Sequence, residues 1–244
     1  METLVKITIL ITIYLTLLFT TTSCGTDSVF GIKGNKNIVS EDRSISADFE
    51  IISVQQGINL FITQGESVKL NVEADENILD LLITEVKNNE LKIYFKKNVY
   101  QAKARNVYLT ASSISEIKTS SGASVKSENT LQATSLNLDS SSGSFIKIYT
   151  NANELTCEAS SGSTITIIGK SKTFSVNASS GSSISANELK TIDAIAKVSS
   201  GANIDVNVTG KLMAKASSGG AIDYEGNPKD VDKETSSGGS VSGN

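Results

Sequence analysis

The tripeptide Ser-Ser-Gly occurs seven times in this chain at almost constant intervals. Its glycines are Gly122, Gly143, Gly162, Gly181, Gly201, Gly219 and Gly238, and the intervals between them are 21, 19, 19, 20, 18 and 19 residues. A repeat of this length and regularity is typical of a solenoid, in which each repeat forms one coil and coils stack on one another. The repeat therefore restricts the fold more than any other feature of the sequence.

Side-chain character alternates at fixed distances from these glycines. Three positions after the glycine, every repeat carries a β-branched residue: Val125, Ile146, Ile165, Ile184, Ile204, Ile222 and Val241. Five positions before it, all repeats but the last carry an apolar residue: Ile117, Leu138, Cys157, Val176, Ala196, Ala214 and, as the exception, Lys233. Four positions before it, the residues are polar: Lys118, Asp139, Glu158, Asn177, Lys197, Lys215 and Glu234.

This alternation has the period of two that marks a β-strand with one buried face. Each repeat is predicted to form a strand, a Ser-Ser-Gly corner, a second strand and a loop. Glycine supplies the positive φ that a sharp corner needs, and the small residue after it lets corners stack. We therefore predict an all-β protein, a parallel β-solenoid of about 19–20 residues per coil with coils roughly 4.8 Å apart.

The first 24 residues have the features of an export signal. Lys6 precedes an apolar run over residues 7–19, which is too short to span a hydrocarbon core of roughly 30 Å as a helix. Ser23-Cys24 then resembles the end of a bacterial lipobox, although Thr21 stands where the pattern usually has leucine. We expect cleavage after residue 23 and acylation of Cys24, which would hold the protein to a membrane. A plain signal peptide is the alternative.

The segment that follows divides into a tether and an irregular β region. Residues 24–40 lack periodicity and are predicted to be a lipidated tether, with order beginning near Ile38. Strand-like patterns then cover residues 48–54, 58–63, 68–72 and 91–95, with turn residues at 64–66 and 88–89 and a short helix at 77–83. We assign residues 41–225 to the solenoid domain, in which this region covers the first coil, and residues 226–244 to a degenerate repeat and tail.

Several stretches resemble a known family. They are residues 49–59, which end in Gly57-Ile58-Asn59, and residues 62–65, 68–74 and 89–93, followed by the Ser-Ser-Gly repeats. Together they are similar to the auto-transporter adhesin, head GIN domain family, over roughly residues 38–224. The resemblance implies a β-helix-like solenoid in an exported protein, often a lipoprotein, from Bacteroidetes-type bacteria. The resemblance implies no catalytic residue in this chain.

Composition excludes several kinds of chemistry. The chain has no histidine, so Ser-His-Asp and Cys-His sites and imidazole zinc sites are impossible. Its net charge of −4 and the lack of a basic run argue against nucleic acid. Ser115 and Lys118 match the S-x-x-K pattern by chance, and Gly169-Lys170-Ser171 fails as a phosphate loop because Ile165 occupies the required glycine position. We predict no catalytic, cofactor or metal site.

Three further candidates for chemistry were weighed against simpler structural explanations. Cys157 shares the inward column of Leu138 and Val176, so we expect a buried hydrophobe and not a reactive thiol. The Ser-Ser hydroxyls are expected to bond backbone groups at the corners, with a ligand-binding array as the alternative. Asp139 and Glu158 would lie within roughly 5 Å of each other, the spacing of retaining glycosidases, but no sequence neighbour raises their pKa.

Three functions remain open. The first is a non-enzymatic envelope protein whose solenoid surface contacts glycans or proteins. The second is a structural or assembly component of the envelope, and the third is a polysaccharide-active enzyme. The outward position two residues after the glycine holds one aromatic residue, Phe145, among small polar ones, which does not indicate a glycan-stacking row. Gly25 and Thr26 carry no inner-membrane retention signal, so by analogy we expect the outer membrane.

Overall fold

A computed structural model describes residues 31–46 and 48–243. The predicted signal segment, the Ser23-Cys24 lipobox and Gly25-Thr26 lie outside the described residues. The described chain is almost entirely β-strand, with one 3-10 helix at Glu76–Leu81. The expectation of an all-β fold is therefore confirmed.

Nineteen strands follow one another along the described chain. The N-terminal strands are β1 Ile32–Lys33, β2 Ile38–Arg43, β3 Ile51–Val54, β4 Asn59–Gln64, β5 Lys69–Asp75, β6 Leu82–Lys87, β7 Glu90–Phe95, β8 Val99–Tyr100 and β9 Arg105–Ala111. The strands of the repeats are β10 Glu116–Thr119, β11 Ser124–Ser140, β12 Phe145–Ala159, β13 Thr164–Ala178, β14 Ser183–Val198, β15 Asn203–Val208, β16 Lys211–Ala216, β17 Ala221–Glu225, β18 Asp230–Thr235 and β19 Ser240–Gly243.

The repeats form a parallel β-solenoid, as the sequence predicts. Each of the strands β11 to β14 leaves one Ser-Ser-Gly corner, bends and runs into the next, and each pairs in parallel with its counterparts in the adjacent coils. We call the residues that run into a corner face A and those that leave it face B. The pairing register matches the predicted columns, because Ile146 pairs with Ile165 on face B and Cys157 with Val176 on face A.

The corners are tight turns in which two residues, not one, have positive φ. In each corner the second serine has φ between 48° and 54° and the glycine between 66° and 75°. Ser163 donates its backbone N–H to the carbonyl of Ser160 at 3.2 Å, which closes the turn around Ser161 and Gly162. Positive φ at both central residues defines a type I′ turn. Gly162 also donates its N–H to Ser180 of the next corner at 3.1 Å, so corners are bonded in a column.

The stack begins one corner earlier than the Ser-Ser-Gly count predicts. Gln56 and Gly57 have φ of 60° and 68°, and the Gly57 N–H donates to the carbonyl of Ser121 at 3.0 Å. Leu60, three residues after Gly57, pairs with Val125 in the inward column. The Gly57-Ile58-Asn59 motif is therefore the corner of the first coil, separated in sequence from the second coil by the residues that build the cap.

The inward columns form one continuous core. Ile146, Ile165 and Ile184 are completely inaccessible to solvent, and so is Cys157 in the opposite column. Fully burying one such aliphatic side chain contributes about 1.5–3 kcal/mol, so the core is the main source of stability. Val241 is only partly buried because it lies in the last coil.

The N-terminal region closes one end of the solenoid, as expected. Strand β7 pairs in parallel with β3 on face A, and β9 pairs in parallel with β4 on face B. Antiparallel strands complete this end: β6 pairs with β7, β5 pairs with β9, and β2 pairs with β5. The β6–β7 hairpin turns at Asn88 and Asn89, which have φ of 53° and 64°. Paired and covered edges protect this end against aggregation.

Some boundaries differ from the sequence predictions. Order does not begin near Ile38, because Ile32 and Lys33 already pair with Val99 and Tyr100 inside the predicted tether. The predicted helix at 77–83 is a 3-10 helix at Glu76–Leu81, and its last two residues belong to β6. Residues 226–243, predicted to be a degenerate repeat and tail, form one further coil, in which β18 pairs with β16 and β19 with β17.

Candidate functional site

The carboxylates Asp139 and Glu158 pair in register on face A, as predicted. Burial raises the pKa of Asp139, the Glu116 carboxylate raises it further, and Lys118 partly offsets both. No sequence neighbour was expected to raise this pKa, and Glu116, which does so, lies close only because it is on the adjacent strand β10. Glu158 is exposed on an open sheet face, which gives no enclosed site for a paired acid and base.

The other sequence candidates for chemistry are accounted for by structure. Burial raises the pKa of the Cys157 thiol well above its usual range, so the thiolate needed for reaction is disfavoured. The Ser115 hydroxyl donates to the Glu50 carbonyl at 3.3 Å, while Lys118 pairs with Glu116 at 3.2 Å. Gly169 lies within the paired length of β13 and so belongs to no phosphate-binding loop.

The hydroxyls that serve the corners are not those of the Ser-Ser pair. In the three corners that have a serine after the glycine, at Ser144, Ser163 and Ser182, this serine is buried and bonds the backbone. Ser163 donates to the Ser140 carbonyl at 2.6 Å, and Ser182 donates to the Ala159 carbonyl at 2.9 Å. The second serine of each pair, such as Ser161, is exposed, and its hydroxyl bonds no residue that the structure describes. The prediction that the Ser-Ser hydroxyls bond backbone groups at the corners is therefore wrong for the second serine, and the serine after the glycine makes these bonds where a corner has one.

A groove runs along the bend between faces A and B, and we call it the bend groove. It has a volume of about 660 Å³. Its lining consists of Gln132, Ala133, Thr134, Asn151, Ala152, Asn153, Lys170, Ser171, Lys172, Lys190 and Ile192. Register aligns Gln132, Asn151, Lys170 and Lys190 in one column across four coils. Neighbouring coils thus present polar groups at the strand spacing of about 4.8 Å.

The bend groove is positively charged and carries free hydrogen-bonding groups. Its lining contains three lysines and no carboxylate. Lys170, Lys172 and Lys190 are exposed and form no ion pair with any residue in the described ranges. The side chains of Asn151 and Asn153 are equally free within those ranges. Such groups can bind hydroxyl and carboxylate groups of a ligand from water.

Two other grooves expose apolar side chains. On face A a groove of about 460 Å³ is lined in part by Ile195 and Met213, which are 44% and 41% exposed. On face B a groove of about 600 Å³ is bordered by Phe61 and Tyr108, whose rings stack with centroids 5.1 Å apart. Phe61 lies four residues after Gly57, in register with Lys126, and so belongs to a different outward column from Phe145, which lies two residues after its glycine.

None of the described residues forms a helix long and apolar enough to cross a membrane. Within residues 31–46 and 48–243, no group of three or more carboxylates or thiols is placed to hold a metal ion.

The stacked coils, the cap at one end and the open polar grooves define a β-solenoid protein that presents side chains on its outer surface. The chain matches the family "Putative auto-transporter adhesin, head GIN domain" over residues 48–228, and it belongs to that family. The resemblance seen in the sequence is therefore confirmed.

Solved structures share the fold. A "putative adhesin" from Bacteroides fragilis has a TM-score of 0.81 and 20% sequence identity, covering 88% of this chain and 100% of that chain. A "putative lipid binding protein" from Parabacteroides distasonis has a TM-score of 0.74 and 22% identity, covering 87% and 99%. A "putative adhesin" from the same species has a TM-score of 0.73 and 22% identity, covering 88% and 100%. No curated protein matches the sequence.

Proposed function

We propose that this protein is a non-enzymatic cell-envelope lipoprotein that works as an adhesion module, contacting glycans through the bend groove. The observation that carries the proposal is the column of aligned lysine and carboxamide side chains in that groove. A polymer of sugars has its own repeat of hydroxyl and acidic groups, so several coils can contact one chain at once.

The regular surface supports weak and repeated contacts. Each groove residue is exposed and makes a modest contribution, but several copies on one membrane add their contacts. Such multivalency raises apparent affinity by roughly 10²–10⁴ without any strong single site. Membership of an adhesin family agrees with this way of working.

Anchoring through Cys24 completes the proposal. Acylation would hold the domain at the envelope, with the outer membrane as the expected address. Mass spectrometry of the mature protein should find an acylated N-terminal cysteine at position 24. A mature N-terminus that begins beyond residue 24, or an unmodified Cys24, would contradict the anchor without affecting the groove.

A glycan array tests the contact function. Wild-type protein displayed at high density should bind acidic or neutral polysaccharides, and Lys170→Glu with Lys172→Glu should weaken binding by at least about 10-fold, because two charge contacts are reversed. Lys197→Glu on face A is the matched control and should bind like wild type. Equal loss in control and groove variants, or no glycan binding at all, would reject the proposal.

The same assay separates adhesion from catalysis. Asp139→Asn with Glu158→Gln should leave glycan binding unchanged, since neither carboxylate lies in an enclosed site. The double variant and the wild type should also not differ in polysaccharide hydrolysis. Release of reducing ends from a bound polysaccharide that disappears in this double variant would establish the enzyme alternative.

A second candidate is a protein contact in envelope assembly. The exposed side chains of Ile195 and Met213 favour it, because apolar groups of this size on a sheet face are stabilised by being covered. Capture of a defined envelope protein that fails with Ile195→Ser and Met213→Ser would support this function.

A further inference from the structure

One outward column on face B has an ordered arrangement of charge, and we call it the charged column. It contains the residue four positions after each corner glycine. From the capped end the order is Phe61, Lys126, Lys147, Thr166, Ser185, Asp205, Asp223 and Ser242, each paired in register with the next. Two lysines, two hydroxyls and two aspartates therefore follow one another across the middle six coils.

This arrangement is unfavourable within one molecule. Like charges placed directly opposite each other on neighbouring strands destabilise a sheet. The corresponding column on face A also has like-charge neighbours, Asp139 with Glu158 and Lys197 with Lys215. There, however, lysines also adjoin carboxylates, since Lys118 pairs in register with Asp139, and Lys215 forms an ion pair with Glu234 at 2.8 Å. Face B instead places Lys126 beside Lys147 and Asp205 beside Asp223.

The charges of this column are not neutralised by their own chain. Neither Lys126 nor Lys147 forms an ion pair with any residue that the structure describes, and the same holds for Asp205. Asp223 accepts a hydrogen bond from Ser242 but has no cationic partner within the described ranges. Burial raises the pKa of Asp205, and the neighbouring carboxylates of Asp223 and Glu225 raise it further.

The order of charges in this column is complementary to the same order read from the opposite end, because two lysines stand on one side of the centre and two aspartates at the same distances on the other. Consider a second copy related by a two-fold axis that lies parallel to the strands, between Thr166 and Ser185. The charged columns of the two copies then lie opposite each other and run in opposite directions. Lys147 of one copy then faces Asp205 of the other, and Lys126 faces Asp223. An isologous interface requires this kind of self-complementarity, in which residue i meets residue j and j meets i.

We propose that face B is the interface of an antiparallel homodimer, held in register by Lys147 with Asp205 and Lys126 with Asp223 across the two-fold axis. Four ion pairs form, and the hydroxyls of Thr166 and Ser185 meet at the centre. This inference goes beyond adhesion and holds whatever ligand the bend groove takes.

The neighbouring column does not oppose the dimer. The residues two positions after each glycine carry no charge: Asn59, Ser124, Phe145, Thr164, Ser183, Asn203, Ala221 and Ser240. At the rim, Glu128 and Glu225 come near each other, but both are exposed and screened. Eight coils at about 4.8 Å and three columns of side chains give an area on the order of 700 Å² per copy. This is close to the roughly 800 Å² per partner of stable interfaces.

An acidic glycan on the lysines is the competing explanation. It would account for Lys126 and Lys147 but would leave Asp205 and Asp223 unexplained. The homodimer accounts for both pairs and for their equal distance from the centre of the column. The observations therefore favour a second copy of this chain.

Charge reversal tests the dimer. Sedimentation velocity on the full chain in detergent at low ionic strength should show a dimer that dissociates as salt is added. Lys126→Glu with Lys147→Glu should weaken dimerisation by at least about 100-fold, because close charge pairs at interfaces are worth several kcal/mol of coupling. Asp205→Lys with Asp223→Lys should have the same effect.

Mixing these two variants gives the decisive result. A homodimer of either double variant would place like charges opposite each other across the interface. A heterodimer of the two double variants would place only opposite charges there and should form. A chain that carries all four substitutions should also dimerise with itself. Lys170→Glu with Lys172→Glu, away from face B, is the matched control and should remain dimeric, and thermal unfolding confirms that every variant is folded.

The outcomes separate this proposal from the adhesion function. Monomeric wild type at low ionic strength, or double variants that are not restored by mixing, overturns the dimer and leaves glycan binding untouched. Binding of an acidic polysaccharide that is lost with the Lys126 and Lys147 variant, while the wild type stays monomeric, identifies the competing explanation. Loss of glycan binding in the Lys170 and Lys172 variant with an intact dimer supports both the glycan contact in the bend groove and the dimer through face B.

Discussion

Each corner holds a serine and a glycine in the left-handed region of backbone conformation. For glycine this conformation has no steric cost, whereas a residue with a Cβ is disfavoured there by roughly 1–2 kcal/mol. In all seven corners the serine before the glycine has φ near 50° and therefore adopts this disfavoured conformation. The turn tolerates it because every corner is closed by a backbone hydrogen bond, such as that from the Ser163 N–H to the Ser160 carbonyl, and three corners add a serine hydroxyl that bonds the backbone from the inner side.

Two glycines with different surroundings separate conformational cost from steric clash. A Cβ at Gly162 would meet no atom within 4 Å, so Gly162→Ala should lower the free energy of unfolding only by the backbone cost of about 1–2 kcal/mol. A Cβ at Gly169 would lie 1.9 Å from the Thr150 carbonyl oxygen. Gly169→Ala should therefore cost at least twice as much, measured by urea denaturation of the two variants. Equal losses would mean that strand β13 can shift away.

At the scale of the element, alternation along a strand decides which substitutions the fold tolerates. Ile184 is completely buried, and Ser183, its neighbour in β14, faces outward. Ile184→Asp should destabilise the protein by several kcal/mol, because a carboxyl group enters a core with no partner. Ser183→Asp should cost less than about 1 kcal/mol. Thermal and urea unfolding measure both, and similar costs would show that the register of β14 is wrong.

The cap depends on one buried carboxylate. Asp75 is fully buried at the end of β5 and accepts hydrogen bonds from the backbone N–H groups of Lys36, Lys103 and Ala104 at 2.8–2.9 Å. It therefore joins the N-terminal segment to the loop before β9. Burial acts to raise its pKa, but these donors and the Arg105 charge outweigh burial, so the pKa of Asp75 lies below its usual value.

The lowered pKa predicts how the cap responds to pH. A group whose pKa is lower in the folded state contributes stability above its unfolded pKa of 3.8, and that contribution is lost as pH falls through the folded pKa. Asp75→Asn places an amide donor against backbone donors and should cost about 1–3 kcal/mol at neutral pH. The difference from wild type in urea unfolding should shrink in acid. Asp80→Asn, at an exposed site, is the control and should leave the free energy of unfolding close to that of the wild type at neutral pH.

At the scale of the whole molecule, the two ends of the stack are unequal. The first coil is covered by β7, β9 and the antiparallel strands, but β18 and β19 each pair with one neighbour within the described residues. The last coil also buries less, since Val231 and Val241 are only partly covered. In a linear array each coil is stabilised by its neighbours, so stability should decrease toward the less covered end.

Hydrogen exchange tests this gradient. Amide protection should be greatest in β12 and β13, which have a paired coil on both sides, and lowest in β18 and β19. The protection of β4 should remain close to that of β12 because the cap covers its outer edge. Uniform protection from β4 to β19 would mean that the solenoid opens only as a single cooperative unit.

The sequence by itself determined the solenoid, its coil length, the inward columns and the buried state of Cys157. These properties follow from a short repeat in which every strand pairs with the next copy of itself, so local spacing fixes the register. The tertiary structure alone decided the first corner at Gly57, because the cap separates it from Gly122 in sequence. It also decided the influence of Glu116 on Asp139 and which serine hydroxyls bond the backbone at the corners, since these depend on contacts between coils. The reversed order of charges on face B likewise becomes visible only when coils from distant repeats lie side by side.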